Sequence, residues 1–121
     1  MRAVTLYGIP NCDTVKKART WLTEQGVEHR FHDFKKDGLT SALAREWLEE
    51  VGAATLINRR GTTWRMLAKI EQLKADDPKA VVGLLVKLPA LIKRPVMEIA
   101  GTQAHETLVG FDAEVYAELF A

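Results

Sequence analysis

The sequence of 121 residues contains one cysteine, Cys12, and this scarcity excludes several classes of protein. A single cysteine cannot form an intramolecular disulfide, so the chain is not a secreted domain held together by disulfides, and a reducing compartment is expected. A cysteine-rich zinc site is equally unsupported. His29 and His32 are three residues apart on a predicted strand, so they point to opposite faces and cannot chelate a metal together. Neither a P-loop nor a dinucleotide glycine fingerprint is present. We therefore expect no bound metal and no other bound cofactor.

The chain also lacks an excess of charge and a long apolar run. Its 17 lysines and arginines are balanced by 16 aspartates and glutamates, which leaves a net charge of +1. Such a charge gives no field to hold a polyanion, so we expect no direct binding to nucleic acid. The most apolar stretch, residues 80–92, is interrupted by Lys87 and Pro89 and is shorter than the ~20 residues that cross a bilayer. The N-terminal residues contain no signal-peptide core. These features predict a cytoplasmic protein with no membrane segment.

The chain does contain enough apolar residues, 47% of the total, to build one compact domain over residues 1–121. Its hydrophobic periodicity predicts a β-α-β start. The predicted elements are a strand at residues 4–7, a helix that begins at Cys12 or Asp13 and is terminated by Gly26, and an alternating strand at residues 27–34.

The middle of the chain is predicted to be helical, and its last part is predicted to be a hairpin followed by a helix. Thr40 caps a helix that ends at Gly52, a short helical piece follows at residues 55–60, and a third helix runs from residues 76–78 to residue 88. Strands at residues 96–100 and 105–109 form the hairpin, and Asp112 caps the final helix. This order, β-α-β, then helices, then β-β-α, predicts an α/β fold with a helical insertion at about residues 39–90.

Cys12 lies where the first predicted strand and its Gly-Ile-Pro loop meet the N-terminus of a helix. Its sulfur would meet unpaired backbone N–H groups and the positive end of the helix dipole, which favour the nucleophilic thiolate over the thiol. Lys16, four residues on, lies on the same side of the helix and is a candidate partner for that thiolate or for an incoming anion. The alternatives are a small, buried and unreactive Cys12 and a solvated Lys16 that pairs with Asp13.

Two segments carry a resemblance to a known family. Residues 7–18 read YGIPNCDTVKKA, and residues 88–95 read LPALIKRP. A cysteine after the first strand, followed some eighty residues later by Arg94 and Pro95, resembles the arsenate reductase (ArsC)/Spx family. The chain looks most like the YffB-like branch of glutathione-dependent thiol reductases. The resemblance covers nearly the whole chain. It implies a thioredoxin-like fold with a helical insertion, and it is compatible with a cis peptide bond before Pro95.

The same resemblance implies roles for residues of this sequence. It makes Cys12 and Arg94 catalytic and Pro95 part of the substrate-binding site. Because Arg94 precedes a proline, its backbone is restricted to extended conformations. Its planar guanidinium suits an oxyanion or a glutathione carboxylate better than an ammonium group does. The alternative is an ordinary surface arginine at the end of a strand.

The resemblance also matches Arg59 to the family's arginine that contacts oxyanion or substrate, with Arg60, one position away, as the competing choice. From the residues alone, these cations precede Gly61 and would compensate the dipole at a helix C-terminus. Asn11, together with the N–H groups at the start of the helix, would stabilise negative charge near the sulfur. Asn11 and Lys16 complete the candidate substrate-binding residues.

The sequence departs from two groups of this family. The arsenate reductases carry a further arginine near the last strand, whereas residues 106–111 contain none and His105 is the nearby cation. Efficient arsenate binding is therefore not expected. The Spx regulators usually carry a Cys-x-x-Cys pair, whereas Val15 occupies the second position in this sequence. An internal disulfide switch is therefore impossible.

Two functions from different classes follow. In the first, the chain is a cytoplasmic monothiol oxidoreductase. Its Cys12 thiolate attacks a disulfide or a small anionic oxidised substrate, and glutathione, as cosubstrate, or glutaredoxin resolves the mixed disulfide, because the chain has no resolving cysteine. A glutathione carboxylate would pair with Arg94 or Arg59. In the second, the chain is a regulator similar to Spx that binds RNA polymerase through the helical insertion around Gly52, a residue that a helix C-cap also explains.

Overall fold

A computed structural model describes residues 3–101 and 105–120. The chain divides into two compact units, one formed by Met1–Lys35 with Arg94–Ala121 and the other by Lys36–Lys93. We call them the sheet unit and the helical unit. That both belong to one domain over residues 1–121, as the length suggests, stays a prediction.

Strands occur near both ends of the described chain, and helices occupy the part between them. In chain order the elements are β1 (Ala3–Gly8), α1 (Asp13–Glu24), β2 (Arg30–Asp33), α2 (Phe34–Asp37), α3 (Ser41–Val51), α4 (Ala53–Leu56), α5 (Thr62–Arg65), α6 (Lys69–Leu73), α7 (Val81–Lys87), β3 (Val96–Ala100), β4 (His105–Val109) and α8 (Ala113–Leu119), with short 3-10 turns at Lys74–Asp76 and Pro89–Leu91.

The sheet unit contains a four-stranded mixed sheet in the order β2-β1-β3-β4. Strands β1 and β2 are parallel and are connected through α1, whereas β3 is antiparallel to β1 and β4 is antiparallel to β3. Leu6 of β1 lies opposite Phe31 on one side and Met97 on the other, which fixes the register of the three strands. This β-α-β and β-β-α arrangement, with helices between the two parts, confirms the predicted α/β, thioredoxin-like fold with a helical insertion.

The core of the sheet unit forms where α1 and α8 pack on one face of the sheet. Alternate residues of β1 and β3 point to this face, because side chains of a strand alternate in direction. Helix α1 buries Val15, Ala18 and Leu22, the face that its periodicity predicts. The ring of Trp21 meets the ring of Tyr116 of α8 edge to face, with 5.6 Å between centroids. At the other end of the helix, Val15 of the first turn lies against Gly8, the last residue of β1.

Two predicted ends of helix α3 in the helical unit are confirmed. The Thr40 side chain accepts a hydrogen bond from the Leu43 N–H at 3.2 Å and caps the N-terminus. Gly52, at φ +81°, ends the helix in a backbone conformation that residues other than glycine rarely adopt. Between these ends, Trp47 is fully buried.

The predicted helical piece at residues 55–60 is wrong in its extent, because α4 ends at Leu56. Ile57 instead forms an antiparallel bridge with Ile92. The Asn58 N–H donates to the Leu91 carbonyl and the Lys93 N–H donates to the Leu56 carbonyl, each at 2.8 Å. Pairing with a segment far along the chain therefore overrides the local helical pattern.

Other boundaries also differ from the sequence-based expectation. Strand β2 covers only Arg30–Asp33 of the predicted residues 27–34, and His29 bonds through its ring Nδ1 to the Val27 carbonyl at 2.9 Å. Helix α7 begins at Val81, after a 3-10 turn, and not at residues 76–78. Helices α5 and α6 were not predicted; each has at most five residues, and neither contains a buried residue. The strands of the hairpin have the predicted bounds, and the predicted Gly101-Thr102 junction lies partly outside the described residues.

Within the described ranges, no helix has the length and apolar character needed to span a membrane. The longest of these helices, α1, has 12 residues.

The cap of α8 gives a stability prediction. One carboxylate oxygen of Asp112 accepts hydrogen bonds from the N–H groups of Glu114 at 2.9 Å and Val115 at 3.4 Å. We expect Asp112→Ala to lower the free energy of unfolding by about 1 kcal/mol, because these helix N–H groups lose their acceptor. Urea unfolding measures the change. Asp112→Asn keeps an acceptor and should retain most of the stability. Equal losses in both variants would contradict the capping role.

Candidate functional site

The candidate site is built at the edge of the sheet where β1 ends. Strand β1 ends at Gly8, and residues 9–12 form the loop that leads into α1. The Cys12 N–H donates to the Ile9 carbonyl at 3.2 Å, and the Lys16 N–H donates to the Cys12 carbonyl at 2.9 Å. Cys12 is therefore the N-cap residue, with extended backbone angles and a partly exposed side chain. At this position a side chain faces the unpaired N–H groups of the first helical turn.

Strand topology brings Arg94 to the same edge. Since β1 and β3 are antiparallel neighbours, the end of β1 lies beside the start of β3, and Tyr7 pairs with Val96. Cys12 follows the end of β1 and Arg94 precedes the start of β3, so the two residues meet although they are far apart in the sequence. The interaction of the Cys12 sulfur with the Arg94 guanidinium includes a hydrogen bond and a favourable charge contact.

The backbone that carries Arg94 is fixed on its C-terminal side. The Arg94–Pro95 peptide bond is cis, as the resemblance allows, and Pro95 is fully buried. The Gly110 N–H donates to the Pro95 carbonyl at 2.8 Å, just beyond the end of β4. The Arg94 side chain itself is half-buried. Pro95 thus shapes the loop next to Cys12, and its assignment to substrate binding stays a prediction.

The electrostatics of the site favour a thiolate. Burial of the sulfur raises the pKa of Cys12, but this effect is outweighed by the Val15 N–H, the Arg94 guanidinium and the Thr14 N–H, which favour the charged form. The pKa of Cys12 therefore lies below the ordinary value of a cysteine thiol. Since the thiolate is the nucleophilic form, the site can carry out attack on an electrophilic sulfur or a similar centre.

The sequence predicts helix N–H groups near the sulfur but does not single out Thr14 and Val15. The signal for them is positional, because they are the second and third residues of a helix that begins at Asp13. These are the two positions whose N–H groups an N-cap side chain normally meets. A cysteine at an N-cap therefore indicates which donors will face it.

Asn11 and Lys16 are both exposed beside Cys12 in the sequence. The groups that lower the pKa of Cys12 are Val15, Arg94 and Thr14, and neither Asn11 nor Lys16 is among them. The proposed pairing of Lys16 with the thiolate, and the roles of both residues toward substrate, stay predictions.

Arg59 and Arg60 lie in the helical unit. The Arg59 Nη2 is 3.3 Å from the Asp76 Oδ1, and its guanidinium lies over the Trp64 ring at 4.9 Å from the centroid. The Arg60 side chain is exposed, and its backbone N–H donates to the Asn58 Oδ1 at 3.1 Å. Because Arg59 already pairs with Asp76, an anion that binds Arg59 would have to compete with the Asp76 carboxylate. Such an exposed ion pair contributes little to stability. The choice between Arg59 and Arg60 stays a prediction.

Arg59 and Asp76 also border a cleft within the helical unit. These two residues line it together with side chains of α3, α4 and α7, and its volume is about 590 Å³.

No metal site is present among the described residues. Within residues 3–101 and 105–120, no group of three histidine, cysteine, aspartate or glutamate side chains is placed to hold an ion.

The Arg94 contact predicts a change in reactivity. We expect Arg94→Gln to raise the pKa of Cys12 toward its ordinary value, because the guanidinium no longer stabilises the thiolate. The rate of Cys12 alkylation by iodoacetamide, measured against pH, should then have its midpoint at higher pH, and Arg94→Lys should lie between the two. Arg19→Gln is the matched control. It removes the same charge, but the Arg19 guanidinium lies over the Phe31 ring, at 4.2 Å from the centroid, and is not among the groups that lower the pKa of Cys12. A midpoint in Arg94→Gln that equals the wild-type midpoint would show that Arg94 does not act on the thiolate.

Comparisons with known proteins find relatives that match most of the chain. The chain is 40% identical over 119 residues to an uncharacterised protein of Haemophilus influenzae, which covers 98% of this chain and 99% of that protein. It is 30% identical over 101 residues to the global transcriptional regulator Spx of Streptococcus pyogenes, which covers 78% of this chain and 70% of the regulator.

Solved structures give the same result. The structure of the YFFB (PA3664) protein matches with a TM-score of 0.87 and 45% identity, over 98% of this chain and 100% of that chain. An arsenate reductase (ArsC) related protein from Brucella melitensis matches with a TM-score of 0.72 and 38% identity, over 98% and 94% of the two chains. The model of the ArsC family matches residues 7–119. The chain therefore belongs to the ArsC family.

Proposed function

We propose that the chain is a monothiol oxidoreductase that uses Cys12 as its nucleophile and glutathione as its cosubstrate. The observation that carries this proposal is the pairing of the Cys12 sulfur with the Arg94 guanidinium at the N-terminus of α1, which favours the thiolate. A partly exposed thiolate at a helix N-terminus beside an arginine is typical of reactive cysteines. Membership of a family that includes arsenate reductase-related proteins supports thiol redox chemistry.

The proposed reaction has two exchange steps. The Cys12 thiolate attacks one sulfur of a substrate disulfide, the substrate S–S bond breaks, and the other sulfur leaves as a thiolate that takes up a proton. A mixed disulfide between Cys12 and the substrate results. A glutathione thiolate then attacks the substrate sulfur of this mixed disulfide, and Cys12 leaves as a thiolate again. An external thiol is required because Cys12 is the single cysteine of the chain.

Arginine and helix N–H groups are proposed to hold the anionic parts of the reactants. The Arg94 guanidinium can donate two parallel N–H···O bonds to a carboxylate of glutathione beside the sulfur. Arg59 or Arg60 is proposed for a second carboxylate, and Asn11 and Lys16 for contacts next to the thiolate. The reaction fits the cytoplasm, where glutathione keeps thiols reduced. Glutaredoxin is proposed as the alternative partner that resolves the mixed disulfide.

Arsenate is a weaker substrate candidate than a disulfide. Residues 106–111 supply no arginine. The nearby basic side chain, His105, lies 3.7 Å from a carboxylate oxygen of Glu98 and 3.4 Å from the Thr107 hydroxyl. A tetrahedral oxyanion would therefore find Arg94 at the thiolate but no additional arginine from β4.

Regulation by protein binding is the second candidate, and the similarity to Spx regulators favours it. In this case the chain would bind RNA polymerase through the helical unit around Gly52, and Cys12 would be of little importance. The cleft beside α3 and α4 offers apolar surface between charged side chains, which suits a protein segment. Retention of all cellular activity by Cys12→Ser would favour this function over the oxidoreductase.

Exposure to oxidised glutathione tests the proposed chemistry. We expect the mass of the intact protein to increase by one glutathionyl group, because the thiolate displaces glutathione from its disulfide, and reduced glutathione should remove the group. Cys12→Ser should show no increase. Arg94→Gln should form the adduct more slowly than Arg19→Gln, since less thiolate is present near neutral pH. A wild-type protein that alkylates readily but takes up no glutathione would contradict the role of glutathione.

A further inference from the structure

Gly8, the last residue of β1, lies unusually close to the first turn of α1. A Cβ atom built on Gly8 would be 2.7 Å from the Val15 Cγ2 and 3.3 Å from the Val15 Cγ1. Real Cβ atoms essentially never come as near as the first of these distances. The φ angle of Gly8 is not positive, unlike those of four other glycines in the described residues. Gly8 is therefore required for space and not for an unusual backbone conformation.

Val15 cannot easily move away from an added side chain. It is fully buried, and its β-branched side chain has one strongly preferred rotamer in a helix. Packing in protein cores leaves few voids into which such a group could turn. A methyl group on Gly8 would therefore displace the helical turn that carries Val15.

That turn is also the one that faces the sulfur. Val15 and Thr14 supply the N–H groups that favour the Cys12 thiolate. Gly8 touches the same turn from the sheet side, only four residues before Cys12. The distance between the end of β1 and α1 thus determines where these donors lie relative to the Cys12 sulfur.

We propose that Gly8 is a positioning residue of the thiolate site: its missing side chain lets the first turn of α1 lie directly on the end of β1, which directs the N–H groups of Thr14 and Val15 at the Cys12 sulfur. The proposal rests on the proposed role of the Cys12 thiolate. In this proposal Gly8 acts through Val15, whose side chain is the group that a Cβ atom on Gly8 would meet.

The variant Gly8→Ala tests the proposal through the pH dependence of Cys12 alkylation by iodoacetamide. Displacement of the Thr14 and Val15 N–H groups from the thiolate is expected to slow alkylation near neutral pH by roughly fivefold to tenfold and to move the midpoint of the profile to higher pH. Gly83→Ala is the matched control, because it adds the same methyl group in α7, where nothing lies within 4 Å. Its profile should equal that of the wild type.

Compensation at Val15 separates positioning from general damage. The double variant Gly8→Ala/Val15→Ala removes both Cγ atoms that would clash, and leaves the Val15 Cβ at 3.6 Å, an ordinary contact. Adding Gly8→Ala to Val15→Ala should therefore slow alkylation much less than adding it to the wild type. If Gly8→Ala does not fold, the comparison of the double variant with Val15→Ala provides the test. Alkylation of the double variant at nearly the rate of Val15→Ala supports the proposal, and a severalfold lower rate counts against it.

Two results would overturn the inference. One is a Gly8→Ala protein with a lower melting temperature but an unchanged alkylation profile, which would make Gly8 a purely structural residue. The other is a double variant that reacts as slowly relative to Val15→Ala as Gly8→Ala does relative to the wild type. Because iodoacetamide replaces glutathione in this assay, failure of the wild type to form a glutathione adduct would contradict the proposed function alone.

Discussion

The interaction on which the candidate site depends is the stabilisation of negative charge on the Cys12 sulfur. Burial opposes this charge, and the Val15 N–H, the Arg94 guanidinium and the Thr14 N–H together overcome the opposition. Hydrogen bonds to a charged group are stronger than those between neutral groups, and in a partly desolvated site they are screened less than at an open surface. Under the proposed function, the same small set of donors would also meet an anionic group of a reactant that approaches the sulfur.

The sheet supplies the geometry for this interaction. Because β1 and β3 are adjacent and antiparallel, the residue that follows β1 and the residue that precedes β3 arrive at the same edge. Helix α1 is held on the sheet by a core that includes Leu6, Ala18 and Tyr116, and its N-terminus stands at that edge. A rigid helix is a better support for two backbone donors than a loop, since core packing fixes their positions.

Local patterns in the sequence predicted those parts of the site that depend on neighbouring residues. Cys12 before an amphipathic helix indicates an N-cap, and Arg94 before Pro95 indicates an extended backbone next to a strand. Long-range pairing was not predictable in this way. Ile57 lies outside the helix predicted for it because it pairs with Ile92. The close approach of Gly8 to Val15 also arises only when the helix packs on the sheet. The ion pair of Arg59 with Asp76 is likewise a tertiary contact that no motif in the sequence indicates.

The folded protein stabilises the thiolate form of Cys12. Ultraviolet absorbance of the thiolate, followed during a pH titration of the wild type and corrected with Cys12→Ser, measures this directly. We expect one titration step in the folded protein below the pKa of an unperturbed cysteine, and its return toward that value when the protein is unfolded in urea. A step at or above the unperturbed value in the folded protein would contradict the account, since burial would then outweigh the Arg94 guanidinium and the helix N–H groups.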